Sequence, residues 1–161
     1  MHLSYQTDNG GFAFKCNDIK LHTSGSTWAM KLSQLNRFGG TVRIITYSLP
    51  DMEYVKAQFN RRPRDIFLIA HRKFLRRAQS IKATFPDIRI AVNDEVHSKV
   101  LLIAPHTIYI SSANFGLSKW HESFIGLHSQ DAHDWYWQHE FEPLWASSSE
   151  IESRGCGSLT A

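Results

Sequence analysis

Two cysteines in 161 residues, Cys16 and Cys156 near opposite ends of the chain, are too few and too widely spaced for a disulfide framework. A reducing, cytoplasmic setting is the expectation. No apolar run is longer than a strand, and residues 1–8 lack a basic region followed by a hydrophobic stretch, so neither a membrane span nor an export signal is expected. Charge of one sign is not in excess either. The net charge of +3 and pI near 9.0 suit an anionic partner as well as none. His71, His97 and the other histidines follow no zinc-ligand spacing, and no metal or other cofactor is expected. Ser112 is not set in a Gly-x-Ser-x-Gly elbow. With 42% hydrophobic residues and neither repeat nor interdomain linker, the chain reads as one domain over residues 1–146. The small, polar segment 147–161 reads as a disordered tail.

What is present is an alternation of strands and helices. Gly11 to Cys16 reads as a short strand, and Thr23 to Thr27 offers a helix N-cap ahead of Trp28, Leu32 and Leu35 at helical spacing, ended by Gly39 and Gly40. The β-branched run Thr41 to Tyr47 is a strand, and Pro50-Asp51 opens a helix with Met52, Val55 and Phe59 on one face. Asp65 to Ala70 is a buried strand. The helix after it turns Phe74, Leu75, Ala78 and Ile81 inward and Lys73, Arg76 and Arg77 along another stripe. Strands follow at Ile88 to Val92 and Ser123 to Leu127, and Asp131 can cap a last helix carrying Trp137, Phe141, Leu144 and Trp145, bent at Pro143. Those aromatics read as core or subunit interface.

Between these last strands lies the segment richest in chemistry. Two β-rich runs, Glu95 to Ile103 and His106 to Asn114, flank a turn at Pro105. For a hairpin centred between Pro105 and His106, His97 lies opposite Asn114 and Lys99 opposite Ser112. Residues two apart on a strand, and residues directly opposed across an antiparallel pair, share a face. The four polar side chains therefore converge beside Val100 to Ile103, and a cationic, hydrogen-bonding cluster in such surroundings is costly without a ligand. A phosphodiester would satisfy it.

The residues His97-x-Lys99 and Ser111-Ser112-x-Asn114 resemble the signature of the phospholipase D superfamily, which is His-x-Lys, four residues, Asp, then Gly-Ser-x-Asn. Ala104 stands where the signature has Asp, and Ser111 where it has Gly. Ala104 falls at the turn, so its effect is expected on the turn and not on the chemistry. Glu122, ahead of an apolar strand, looks like the superfamily's following acidic residue. The resemblance implies an α/β fold with a mixed β-sheet flanked by helices on both faces.

It also implies a metal-independent phosphodiesterase in which one histidine attacks phosphorus and a second, from another copy of the motif, protonates the leaving oxygen. This chain carries one copy, so a homodimer sharing one site is expected. On this reading the catalytic residues are His97, Lys99, Ser112, Asn114 and Glu122. Glu122 would orient the imidazole, Lys99 and Asn114 would bind the nonbridging oxygens, and Ser112 would hydrogen-bond His97, Lys99 or phosphate.

Small single-motif members of the superfamily are typically nucleases, which favours DNA or RNA as substrate. Arg61, Arg62, Arg64, Arg72, Lys73, Arg76, Arg77 and Lys82 make the middle of the chain basic, as phosphate-backbone binding requires, although a solvated helix face has the same composition. His71, Arg72, Lys73, Arg76 and Arg77 are the candidate nucleic-acid contacts. Two alternatives stay open: a noncatalytic nucleic-acid-binding or regulatory module of the same fold, and a phospholipid phosphodiesterase.

Overall fold

The computed structural model describes residues 4–8, 11–15, 19–24, 35, 39–116 and 120–153. Both cysteines, most of the helix expected before Gly39, and residues 154–161 lie outside the described residues. The strands are β1 (Ser4–Asp8), β2 (Gly11–Lys15), β3 (Ile19–Ser24), β4 (Val42–Thr46), β5 (Ile66–His71), β6 (Arg89–Asn93), β7 (Val100–Ile103), β8 (Thr107–Ser111), β9 (Glu122–His128) and β10 (Ser149–Glu150). They form one sheet in the order β1-β2-β3-β9-β8-β7-β4-β5-β6-β10. β4, β5 and β6 are mutually parallel, as expected for strands joined through helices, and the remaining pairs are antiparallel.

Strand alternation sends each central strand into two cores. Val42, Ile44, Leu68, Ile90, Leu101 and Ile103 face α1 (Met52–Asn60) and α2 (Leu75–Thr84), which contribute Val55, Phe59, Ala78 and Ile81. Ile45, Ile69, Val100, Leu102 and Ile108 face the other way, where α3 (Gln130–Tyr136), a π turn (Trp137–Phe141) and α4 (Glu142–Ala146) supply Tyr136, Trp137, Phe141 and Trp145. The sheet therefore has helices on both faces, as expected. Asp51 caps α1 by accepting from the Tyr54 N–H at 3.0 Å, a bond worth about 1 kcal/mol.

Three expectations need correction. The last helix is capped by Ser129 and not Asp131, because the Ser129 hydroxyl reaches the Ala132 N–H at 3.3 Å. Residues 147–153, assigned to a disordered tail, are ordered. Glu150 pairs with Ala91 in the sheet and its carboxylate holds Arg89 from the neighbouring strand. The motif hairpin is out of the expected register by one: Val100 pairs with Ile110 and Ile103 with Thr107, so the turn is the three residues Ala104 to His106. The turn packs so closely on Gly40 that a Cβ there would lie 2.4 Å from the Ala104 oxygen. A side chain at position 40 would push the hairpin away from β4.

Candidate active site

The C-terminal ends of β4, β5, β6 and β8 and the N-terminal ends of β7 and β9 lie along one end of the sheet. Crevices beyond the carboxyl ends of parallel strands are where open α/β sheets bind ligands. Tyr47, His71, His97, Lys99, Asn114 and Glu122 all sit there.

The register slip alone would turn Ser112 and Asn114 to the wrong face, since one residue reverses a strand's facing. The chain avoids this by leaving the strand. The Ser111 hydroxyl accepts from the Ala113 N–H at 3.1 Å, a local turn of the kind serine side chains favour, while the Ser112 N–H bonds the Ser123 carbonyl at 3.0 Å. Asn114 then reaches across to the segment after β4, where its Oδ1 accepts from the Ser48 N–H at 3.1 Å. That bond fixes the amide and leaves its N–H donors for an oxyanion.

His97 is exposed, and its ring lies 5.1 Å from that of Tyr47. The Lys99 ammonium donates to the His97 carbonyl at 2.7 Å and stands 3.4 Å from both ring nitrogens, so it lies beside the imidazole without occupying one lone pair. It also sits 5.8 Å from the Tyr47 ring centroid. Burial pushes the Lys99 pKa below the ordinary lysine value, and the Glu122 carboxylate opposes that shift. A nearby carboxylate thus offsets part of the burial penalty on an ammonium placed to stabilise phosphate oxygens.

Two of the expected residues bond to each other. Glu122, expected to orient the imidazole, accepts a short hydrogen bond from the Ser112 hydroxyl. Ser112 also accepts from the Ser123 N–H at 3.0 Å, so both of these hydroxyl partners lie on β9. It positions the carboxylate that supports Lys99. Ala104 lies at the far end of β7 from this cluster, so the signature's missing Asp leaves the cluster untouched.

His71 also packs against Tyr47, with ring centroids 4.9 Å apart. Its Nδ1 accepts from the Lys73 N–H at 3.1 Å, which makes Nε2 the protonated nitrogen of the neutral ring and a donor. Lys73 is exposed beside it, and Arg72 pairs with Asp94 at 2.8 Å. Three other members of the basic stretch, Arg62, Arg77 and Lys82, bind backbone carbonyls. Arg77 donates to the Leu49 and Pro50 carbonyls, and Arg62 to those of Leu35 and Gly40. Lys82 is buried against the Pro86 and Ile88 carbonyls, each at 2.8 Å, and Arg76 lines a separate cavity with Ile151 and Glu152. Tyr47, the ring at the centre of the cluster, was missed because a lone tyrosine closing a β-branched run carries no signal beyond strand.

The architecture is the phospholipase D fold. Nuc from Salmonella typhimurium, a phospholipase D family member, superposes with a TM-score of 0.66 at 19% identity, covering 84% of this chain and 98% of that one. NucT from Helicobacter pylori gives 0.66 at 11% identity over 83% of this chain and 100% of that one. The archaeal chromatin protein TrmBL2, described as showing a novel mode of DNA binding, gives 0.63 at 8% identity over 85% of this chain and 54% of that one. These likenesses are of fold. No protein-family model and no curated protein sequence matches the chain. Among the described residues no helix is long and apolar enough to cross a membrane.

Proposed function

We propose that the protein is a metal-independent phosphodiesterase acting on nucleic acid, through a phosphohistidine formed at a site that two copies of the chain share. The observation that carries this reading is an exposed His97 imidazole set beside the Lys99 ammonium, with the Asn114 amide and the Glu122 carboxylate at the same end of the sheet.

A neutral His97 nitrogen attacks phosphorus, the bond to the leaving oxygen breaks, and that oxygen takes a proton from His97 of a second copy. Water then attacks the phosphohistidine. Its proton goes to the second imidazole as the N–P bond breaks, and both rings return to their starting states. Lys99 and Asn114 donate to the nonbridging oxygens, where negative charge grows. Ser112 and Glu122 are positioning residues that hold and charge-balance Lys99. The chemistry asks nothing of a metal, since nucleophile, acid and oxyanion donors are all side chains.

A nucleic-acid substrate is supported by His71 and Lys73 beside the cluster and by the DNA binding described for the TrmBL2 neighbour, although a phosphatidylserine synthase from Haemophilus influenzae shares the fold at a TM-score of 0.64. The test is incubation with labelled single- and double-stranded DNA and RNA in excess EDTA, comparing the intact chain with His97→Ala. Cleavage in EDTA that vanishes with His97→Ala is expected. Salt-sensitive binding without cleavage would make the protein a binding module, and turnover that EDTA abolishes and a divalent metal restores would overturn the mechanism. Sharing of the site is tested separately: mixing His97→Ala with Lys99→Ala chains should give no more than partial activity per site.

A further inference from the structure

At the other end of β4, on the face covered by the C-terminal helices, lies a cavity of about 430 Å³ with no part in this chemistry. Its floor is a row across three strands, with Arg43 paired to Phe67 and Phe67 to Arg89. Its walls are Trp137, Phe141 and Trp145. Arg43 and Tyr47 are four residues apart on one strand, roughly 13 Å at strand rise, so the cavity is separate from the His97 cluster.

The two arginines differ in one respect. Arg89 is paired edge-on with the Glu150 carboxylate, with its Nε at 2.8 Å from Oε1. Arg43, only 9% exposed, makes no side-chain hydrogen bond among the described residues. Its guanidinium carbon stands 4.0 Å from the Trp137 ring centroid and 5.8 and 5.9 Å from those of Phe67 and Phe141. A ring contact of that kind uses the face of the guanidinium. Its N–H donors, the fork that matches a carboxylate or phosphate, meet no protein acceptor among the described residues and open onto the cavity. Glu142 and Asp134 act on Arg43 through space without pairing with it, and burial holds its pKa below the ordinary arginine value. A nearly enclosed guanidinium whose donors open onto a cavity attracts an oxyanion more strongly than one on the open surface.

We propose that this cavity binds a small organic oxyanion with a flat apolar body, the oxyanion accepting from the Arg43 fork and the body lying among Trp137, Trp145 and Phe67. The volume is that of a small-ligand pocket. The helix wall is also irregular here: residues 137–141 form a π turn, a feature common at binding sites, just ahead of Pro143, which has no N–H to continue the helical ladder. An aromatic carboxylate and a nucleoside monophosphate share the required chemistry.

The test is titration of the full-length protein with 2-naphthoate, AMP and inorganic phosphate, followed by calorimetry and tryptophan fluorescence. Saturable binding of at least one ring-bearing probe is expected, and which of the two binds tells the acid from the nucleotide. Arg43→Met keeps the buried stem and should weaken binding by about tenfold or more, since charge-assisted bonds carry that much. Glu142→Gln, at an exposed position, should tighten binding by about threefold by removing a repelling charge. His97→Asn should leave it unchanged, which separates this site from the proposed active site. Failure of both ring-bearing probes to bind at millimolar concentration, phosphate binding as tightly as either, or undiminished binding in a folded Arg43→Met would overturn the proposal. Weaker binding in Glu142→Gln would overturn it as well.

Discussion

Replacing Thr46 by valine removes one oxygen atom from a fully buried position and should disturb both stability and the active site. The Thr46 hydroxyl accepts from the Phe115 N–H at 2.9 Å and donates to the Ser48 carbonyl at 2.9 Å. Valine has nearly the same shape, so the core does not need to repack. The change leaves two backbone groups without partners. Each orphaned buried group costs roughly 1–3 kcal/mol, and the added methyl returns at most about 0.8 kcal/mol. The Phe115 N–H lies on a fully buried residue and takes the larger share, whereas the Ser48 carbonyl is nearer solvent. A net loss of about 2–4 kcal/mol follows.

Urea denaturation checks this directly. With an m-value of about 2 kcal/mol/M, the midpoint should fall by about 1–2 M at unchanged m. Thr46→Ser keeps the hydroxyl and should lose only the methyl, about 1 kcal/mol. Activity should drop by tenfold or more in the valine variant, because Phe115 and Ser48 flank and hold Asn114, and a misplaced group of this kind costs about that or more. If Thr46→Val is as stable as Thr46→Ser, the hydroxyl does not carry the load assigned to it and the account of how Asn114 is held fails.

Burial lowers the Lys99 pKa while Glu122 opposes the shift, so the alkaline limb of kcat/KM should lie below the ordinary lysine value and move lower still in Glu122→Gln. The same burial penalises the charged ammonium in the folded state, so stability should rise with pH from the folded pKa toward the unfolded one, and Lys99→Met should raise Tm while abolishing turnover. Lys73→Gln should reduce the salt slope of nucleic-acid binding by about one, whereas Lys82→Met should leave the slope unchanged and cost roughly 1–3 kcal/mol, because it strips the Pro86 and Ile88 carbonyls. The Arg89 partner holds the Glu150 carboxyl below the usual carboxylate range, so its contribution exists above the unfolded value and disappears as pH falls through the folded one. For so exposed a pair, Glu150→Gln should cost about 0.2–1 kcal/mol near neutrality and nothing in acid, read from urea midpoints.

The central strands and helices were legible because their apolar residues repeat at strand and helix periods, and the structure shifts their limits by only a residue or so, as at Arg89–Asn93 against the expected Ile88 to Val92. The motif residues were legible through spacing. The roles of the basic residues were not. Arg62, Arg77 and Lys82 read as a cationic stripe until the carbonyls they bind are known, and those carbonyls belong to other parts of the backbone. β10 was illegible for the same reason. A serine-rich segment reads as disordered, and what orders it is pairing with β6 and the Asn93 amide donating to Ser147 and Ser148, to which the Glu150 contact with Arg89, sixty-one residues away, adds.

The hairpin register shows how a site can be found through faulty geometry. Symmetric pairing across Pro105 would bring His97, Lys99, Ser112 and Asn114 together on one face, and that pairing is wrong by one residue. Ser112 and Asn114 nonetheless lie at the same end of the sheet as His97 and Lys99, where the strand ends at Ser111 and the chain turns out of the ladder through the Ser111 hydroxyl. The placement of Asn114 therefore depends on turn chemistry and on capture by the end of β4 and the residues after it, through Thr46 to Phe115 and Ser48 to Asn114, and not on sheet register. A consequence follows for substitutions. Changes within β7 and β8 that preserve their packing should be absorbed, whereas removing one hydroxyl at Ser111 or Thr46 should move Asn114 relative to His97. The residues that hold the site together include Thr46 and Ser48, which the signature does not contain, and that is why spacing alone finds the chemistry and misses its support.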